Sequence, residues 1–539
     1  MGKFNIRFLP YDKSVEIDAE TTLLKASIMA GAHINAPCGG KGTCGKCLVR
    51  VKEGDYDTRS TPQLSEENKG KGFLLGCQIR PRGDMVVEVP IESQIRPGEK
   101  IATGAKKEEL HRLFMELAGE VRPRTKKICL KLVPPSIDDH VADLERLKRE
   151  LSIIGFNTDH FYCGLPVLRK LGKMLRDEGW DVTVTLYQSG TALEVLDIES
   201  KEMCGIRYGA AVDIGTTSVV VYLVNLITGE IIDSAASYNA QARCGDDVIS
   251  RIVYATEMDG LDELQRLVVD NINHLLTGVA KKHAIDINLI DKMVAAGNTT
   301  MTHLFYGINP ESIRLEPYVP AVSLFPVIRA RNLGINIQDT APLYSFPNVA
   351  SYVGGDIVSG VLTSRIYTKE ETYLFIDVGT NGEIVLGNRD WMMTCACSAG
   401  PCFEGSGIKF GMRAMEGAIE KVDINPVTFE AKCGIIGNVK PIGICGSGMI
   451  DALAEMYLTG VIDQKGKFRD GLDTHRMRRG ENGMEYVLAW RVESGIDKEI
   501  TLTEVDIDNL IRAKGAIYAG FTTLLGEVGM TFNDIAKLY

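Results

Sequence analysis

The chain has 539 residues, 45% of them hydrophobic and 24% charged, with a formal net charge of −11, and a length beyond what one core fills predicts roughly three or four domains. The acidic balance argues against a nucleic-acid partner, and no apolar run approaches the about 20 residues that a membrane-spanning helix needs. Thirteen cysteines, with no secretory core in Met1-Gly2-Lys3-Phe4-Asn5-Ile6, read as thiols or metal ligands of a cytoplasmic protein, not as a disulfide framework.

The first predicted domain covers residues 1–92. Alternating runs at 3–8 and 14–17 suit a β-hairpin, and 23–30 reads as a helix. A glycine-rich loop then carries Cys38, Cys44 and Cys47, and Cys77 follows in Leu75-Gly76-Cys77. The resulting C-x5-C-x2-C-x29-C spacing is close to the C-x4-C-x2-C…C of plant-type ferredoxins. Four thiolates satisfy two irons, and glycines let backbone N–H groups approach the sulfides. Zinc is the competing reading, but it usually takes two short C-x(2–4)-C knuckles, and Cys77 has no such neighbour. A 2Fe–2S cluster is therefore the expectation, with one residue more than the plant pattern in its first gap.

Residues 93–125 are polar and punctuated by Pro and Gly, the composition of a flexible linker. An electron carrier on such a tether can visit both a donor and an acceptor. Residues 126–205 predict a small α/β unit: strands at 128–133 and 182–187, and helices at 138–151 and 165–178. Nothing in it reads as catalytic. Cys129, Cys163 and Cys204 are expected to be small core residues, and the unit is expected to make contacts, with a second copy or with a partner.

In residues 206–539, Ala210-Ala211-Val212-Asp213-Ile214-Gly215-Thr216-Thr217 is an apolar strand entering a glycine turn, and Ser218-Val219-Val220-Val221 leaves it as a second strand. The pattern returns at Ile376-Asp377-Val378-Gly379-Thr380-Asn381-Gly382-Glu383-Ile384-Val385. Glycine admits close approach of backbone N–H groups to an anion, threonine adds a hydroxyl, and the acid can hold a metal-bound water. Two such loops facing each other would grip the phosphates of a nucleotide. A Walker loop or a dinucleotide fingerprint must open a helix, whereas β-branched residues follow here, so both of those readings fail.

Between the hairpins, 261–276 reads as an amphipathic helix, and the strand Met293-Val294-Ala295-Ala296-Gly297 enters a turn at Asn298 and Thr299. That turn either lines the nucleotide cleft or is a plain helix cap. Asp356 opens a further helix as a cap or as a ligand of metal-bound water. After the second hairpin, Cys395, Cys397 and Cys402 are close in sequence, but C-x-C-x4-C fits no familiar cluster motif. Gly446, Ser447 and Gly448 open a helix whose N-terminus is a candidate nucleotide contact. Residues 511–525 read as a helix and 535–539 as the start of a strand.

The doubled Asp-x-Gly-Thr hairpins resemble the phosphate motifs of the actin-like (ASKHA) ATPase superfamily, with its duplicated ribonuclease-H-like halves. In that superfamily the final strand runs into a Gly-Gly turn that holds the adenosine; none follows Tyr539, so a truncated form with weakened nucleotide binding is expected. A β-grasp ferredoxin-like domain, a tether, a small α/β unit and an ASKHA module in this order resemble the reductive activators of corrinoid enzymes. The resemblance implies that Cys38, Cys44, Cys47 and Cys77 hold the cluster. It also implies that Asp213, Gly215, Thr216, Thr217, Asp377, Gly379, Thr380 and Asn381 surround ATP phosphates and Mg2+, with Asp213 and Asp377 in the catalytic role. Its implied activity is ATP-dependent one-electron reduction of cob(II)alamin to cob(I)alamin on a corrinoid protein, fed by an upstream low-potential donor, with the middle unit associated with a homodimer. Three alternatives stand beside it: an electron carrier with a nucleotide-dependent docking module, a small-molecule kinase fused to a ferredoxin, and a dehydratase activator.

Overall fold

Inward Ile6 and Phe8 alternate with polar neighbours along the first strand, the period-two pattern of a half-buried strand. In a computed structural model, described over residues 3–30, 32, 34, 42, 45, 47–58, 64, 66–90, 93, 124–245, 247–379, 381–405, 407–480 and 483–539, this strand, Lys3–Leu9, forms a hairpin with Lys13–Asp18. It also pairs in parallel with Met85–Glu88, which continues antiparallel to Leu48–Glu53. Helix Leu23–Ala30 covers the five-stranded sheet, and Leu23, Ala26, Val49, Leu75, Ile79 and Val87 fill the core between them. This is the β-grasp arrangement.

The middle unit is a four-stranded sheet of Thr125–Lys131, Asp181–Ser189, Ala192–Ser200 and His160–Cys163 in that spatial order. Helices Asp143–Ile153 and Leu165–Asp177 pack on it through Leu147, Leu151, Leu171 and Leu175. The first helix starts later than the periodicity predicts, because the segment before it serves Arg146. That fully buried guanidinium donates to the carbonyls of Val133, Asp139 and Val141 and pairs with the Asp139 carboxylate at 2.6 Å. The expectation for two cysteines is corrected: Cys129 and Cys204 form a disulfide, with Cα atoms 5.7 Å apart. Thr183, opposite Cys129 in the sheet, donates to the Lys201 carbonyl, which folds the following turn back over the strand and brings Cys204 onto Cys129.

The remaining chain forms two lobes with one strand plan. In the first, Tyr208–Ile214, Ser218–Asn225, Ile231–Tyr238, Ile290–Gly297 and Pro342–Ser345 run in chain order and lie spatially third, second, first, fourth, fifth. The first strand is antiparallel to the second and parallel to the fourth, and helix Leu261–Lys282 packs on the hairpin side. In the second lobe, Thr372–Val378, Gly382–Gly387, Met392–Cys397 and Ile535–Leu538 repeat the order third, second, first, fourth, backed by helix Glu504–Glu527. This is a duplicated ribonuclease-H-like fold, each lobe with its own apolar cluster. The last helix starts at Glu504 because Thr503 and Asp506 cap each other's backbone N–H groups, a capping box with Asp in the usual Glu position.

Polar bonds join the middle unit to the first lobe. Arg207, buried, pairs with Asp291 at 3.0 Å and donates to the Thr125 carbonyl at 3.0 Å. Lys127 donates to the Ile206 carbonyl, Arg329 pairs with Glu194, and Gln338 donates to Asp197. Among the described residues no helix is long and apolar enough to cross a membrane.

Candidate functional site

The first glycine turn is held from behind. A Cβ on Gly215 would lie 2.7 Å from the Ser218 carbonyl oxygen, so the tight return to the next strand requires glycine. Three successive carbonyls of the turn are then tied to the lobe interior. Asn239 Nδ2 donates to Gly215 O at 2.8 Å, Arg251 Nη2 to Thr216 O at 2.5 Å, and the Asn239 backbone N–H to Thr217 O at 2.9 Å. Arg251 and Asn239 are almost wholly buried, and Gln241 links them. With its carbonyls committed backward, the turn presents N–H groups to the cleft, the arrangement an anion needs.

The hydroxyls take different partners. Asn298 Nδ2 donates to Thr216 Oγ1 at 2.9 Å, while Asn298 Oδ1 caps helix Thr299–Tyr306 by accepting from Met301 N–H. Asn298 is thus a helix cap that also reaches the first glycine turn. Thr299 turns away: its buried hydroxyl donates to the Ala350 carbonyl. Thr217 Oγ1 crosses to the other lobe and donates to Glu404 Oε2 at 2.8 Å.

In the second hairpin, Asp377 pairs in register with Glu383, and Gly379 N–H donates to the Asn381 carbonyl at 2.9 Å. Thr380 lies outside the described residues. Asp213 from the first hairpin and Asp356, in the first turn of helix Gly355–Ser364, come near this pair. Desolvation pushes the Asp213 carboxyl up to about 7, and Asp356 and Asp377 add to the shift. It pushes Glu383 up to about 8, again with Asp377 and Asp356 contributing. Asp356 rises to about 6, from desolvation and then Asp377, although Ile357 N–H donates to its carboxylate at 2.9 Å. Asp377 is raised by desolvation. Asp213 and Asp377 remain exposed to solvent while Asp356 and Glu383 are half-buried, and like charges repel where the four acids come near one another. Among the described residues no three Asp, Glu, His or Cys side chains are close enough to chelate one ion. A cation here would therefore depend on water and phosphate oxygens, the usual coordination of Mg2+.

Helix Gly446–Leu458 begins against the turn that carries Glu404. A Cβ on Gly446 would lie 2.4 Å from Phe403 O, and one on Gly448 2.2 Å from Ile419 O; Ser447 Oγ is 3.3 Å from Cys445 Sγ. Close packing accounts for both glycines. A second cross-lobe contact places the Arg413 guanidinium 4.4 Å over the Tyr238 ring. Sequence reasoning gave no role to Glu404, Asn239, Arg251 or Arg413. Glu404 is 187 residues from Thr217, and only the adjacency of Glu404 to Gly405 hinted at a tight polar turn.

In the β-grasp domain, Cys47 and Cys77 are buried with sulfurs 3.4 Å apart, and Gln78 Nε2 lies 3.6 Å from the Cys77 sulfur. Gly76 N–H donates to the Cys47 carbonyl at 2.8 Å, which fixes the two loops together. Two thiolates brought this close suit a shared iron. Cys38 and Cys44 lie outside the described residues. Cys397 donates to the Gly382 carbonyl at 3.0 Å, a structural contact beside the second hairpin.

Family profiles match the chain along most of its length. They are a 2Fe-2S iron-sulfur cluster binding domain at residues 8–82, the RACo linker region at 116–204, the RACo middle region at 208–369 and the C-terminal ASKHA domain of RACo at 371–539. The corrinoid activation enzyme RamQ of Eubacterium limosum is 29% identical over 538 residues, covering 98% of this chain and 84% of that protein. A [Co(II) methylated amine-specific corrinoid protein] reductase of Methanosarcina barkeri is 24% identical over 371 residues, 62% of each chain. The solved structure of a reductive activator for corrinoid, iron–sulfur protein superposes with a TM-score of 0.71 at 43% identity, covering 99% of this chain and 85% of that one. With a β-grasp cysteine domain joined to a duplicated ribonuclease-H-like module and this identity over nearly its full length, the chain belongs to the family of reductive activators of corrinoid enzymes.

Proposed function

We propose that the protein reduces the cob(II) form of a partner corrinoid protein to cob(I) by one electron, in a reaction coupled to ATP binding and hydrolysis. The observation that carries this reading is the approach of Asp213 on one glycine hairpin to Asp377 on the other, with the Thr217–Glu404 bond joining the lobes beside them, on one chain with the buried Cys47–Cys77 pair. Cys38, Cys44, Cys47 and Cys77 would hold a 2Fe–2S cluster. When bound, that cluster supplies a single electron at a potential near about −400 mV, if it behaves as plant-type clusters do.

Asp213, Gly215, Thr216, Thr217, Asp377, Gly379, Thr380 and Asn381 would surround the ATP phosphates. The turn N–H groups and hydroxyls would take phosphate oxygens, and Asp213 and Asp377 would hold waters of Mg2+. The cation explains why the chain gathers four mutually repelling acids: its charge turns an unfavourable cluster into a favourable one.

Coupling to ATP answers an energetic problem. For one electron, about 59 mV corresponds to about 1.4 kcal/mol, so a cobalt centre roughly 200 mV below its donor costs roughly 5 kcal/mol to reduce. ATP binding favours a protein state that grips the cob(II) partner and alters cobalt ligation, which raises the cobalt potential. The gain is bounded by the difference in partner affinity between the two states, and hydrolysis releases the partner. A low-potential donor upstream, a homodimer through the middle unit and a cytoplasmic location complete the proposal.

The test is anaerobic. Protein, donor and an oxidised corrinoid protein are mixed with and without ATP, and loss of the cob(II) EPR signal is followed. Equal cob(I) yield without nucleotide would overturn the reading.

A further inference from the structure

Glu404 is built into place more firmly than a surface acid requires. It ends the turn Pro401–Glu404, and the backbone on either side fits without room for a side chain. Gly405 adopts φ +88°, and a Cβ there would lie 2.5 Å from Met412 N. A Cβ on Gly411 would lie 2.4 Å from Gly405 O, and one on Gly446 would lie 2.4 Å from Phe403 O. Gly405 N–H also donates to the Cys402 carbonyl at 2.9 Å. Such a shell holds a side chain to the tolerance that a reacting group needs. Yet the Glu404 side chain is only half-buried and leaves its own lobe to accept the Thr217 hydroxyl of the opposite one at 2.8 Å.

That hydroxyl belongs to the turn whose carbonyls are tied backward by Asn239 and Arg251, and whose N–H groups therefore await the terminal phosphate. A carboxylate and a phosphate repel if they touch. The group that fits between them is a water, which donates one hydrogen to the carboxylate and turns a lone pair toward phosphorus. The acids Asp213, Asp356, Asp377 and Glu383 come near one another, where a cation would neutralise them; Glu404 reaches the loop from the second lobe through Thr217.

We propose that Glu404 is the catalytic residue that orients the attacking water and accepts its proton during ATP hydrolysis, with Thr217 holding its carboxylate in position until nucleotide arrives. The water oxygen forms the new bond to the γ-phosphorus, and the bond from that phosphorus to the β–γ bridging oxygen breaks. ADP leaves with the electron pair. The water proton passes to Glu404 and then to solvent, so ATP and water give ADP, phosphate and a proton. This assignment rests on the ATPase reading above and names the base that reading leaves open.

The experiment uses the full chain, purified anaerobically with its cluster, as wild type, E404Q and E404D. MgATP affinity is measured by equilibrium dialysis, and phosphate release is measured with an oxidised corrinoid protein present. For E404Q we expect MgATP affinity within about threefold of wild type and hydrolysis lowered by at least about 100-fold, the lower end of what a positioned base contributes. E404D keeps the charge one methylene further back and should retain an intermediate rate at unchanged ATP affinity; it carries the test alone if E404Q loses its cluster absorbance. Hydrolysis by E404Q, or by E404D where that variant stands alone, within threefold of wild type overturns the assignment, as does a loss of MgATP affinity that matches the loss of rate. Wild type that releases no phosphate overturns the ATPase reading itself, and the assignment with it.

Discussion

The buried Arg251 guanidinium donates to the Thr216 carbonyl at 2.5 Å and to the Gly245 carbonyl at 2.8 Å, so one side chain fixes both the phosphate turn and the loop beneath it. Arg251→Lys keeps the charge but loses the fork that reaches two carbonyls at once. We expect MgATP affinity to fall by about tenfold, the equivalent of about 1.4 kcal/mol, while the cluster spectrum stays unchanged. Dialysis with nucleotide and a visible spectrum of the same sample check both halves.

Asp213→Asn removes an acid that desolvation, and then Asp356 and Asp377, push toward the neutral form. If the raised acids exist to receive a cation, cob(I) formation with MgATP should fall by at least about 100-fold, in line with the loss of a key electrostatic group. EPR of the cobalt partner reads the outcome. An unchanged yield would remove Asp213 from the site.

The same acids give the cation-free protein a characteristic response to pH. Their folded values, about 7 for Asp213, about 6 for Asp356 and about 8 for Glu383, lie above the about 4 of an unfolded carboxyl. Folding therefore keeps protons that the unfolded chain releases, and stability from these groups is lost as pH rises from about 4 through 6 to 8. Mg2+ favours the charged forms, so its stabilising effect should grow over that range. Differential scanning calorimetry at pH 6 and pH 8, with and without Mg2+, should show the larger cation-induced rise in Tm at pH 8. The difference should shrink in Asp213→Asn.

Cys77→Ala should abolish the visible absorbance of the cluster and all cob(I) formation, yet leave MgATP affinity within about twofold. The thiols and the cleft belong to separate apolar cores, and changes at distant sites act independently. Loss of nucleotide binding together with the cluster would contradict that separation.

The Cys129–Cys204 bond spans 75 residues, and a loop of that length corresponds to about 4.5 kcal/mol of lost chain entropy in the unfolded state. In a background with Trp391 and Trp490 replaced by Phe, so that Trp180 alone emits, Cys204→Ser should lower the midpoint of urea unfolding, and dithiothreitol should lower it in that background but not with C204S added. Trp180 packs in the core of the same unit, so its emission reports that unit's unfolding.

What the sequence disclosed was local in character. Asp213-Ile214-Gly215-Thr216-Thr217 and its counterpart at Asp377 announce themselves because acid, glycine and hydroxyl lie within five residues and β-branched strands follow directly. The Cys47 and Cys77 pairing is likewise a spacing that a known cluster chemistry demands. Glu404 escaped because its meaning depends on a partner in the other lobe, and no periodicity records such a contact. Arg251 looked like any helix arginine, since a buried guanidinium is revealed only by the carbonyls around it. Strand Ala192–Ser200 puts Leu193, Val195 and Ile198 in the core of its unit, but its register shifts between Val195 and Asp197, so the inward parity changes and no clean alternation marks it. Strand His160–Cys163 is four residues long, too short for any pattern. The disulfide was missed because a cysteine count speaks of compartment, whereas pairing depends on how the turn after Ser200 doubles back.

Arg207 gives the molecule a mechanical asymmetry. It ties the edge of the middle unit to the first lobe at Thr125 and Asp291, and Arg329–Glu194 and Gln338–Asp197 fasten the same seam farther along. The second lobe meets the first through the Thr217–Glu404 and Tyr238–Arg413 contacts and through an apolar patch in which Val353 and Ile357 pack with Val385 and Phe375. A nucleotide-driven rotation would use the apolar patch as its pivot, with the second lobe swinging like a jaw against the frame that Arg207 anchors. A cobalt protein gripped by that jaw would feel each turnover as a displacement of the chain's C-terminal half.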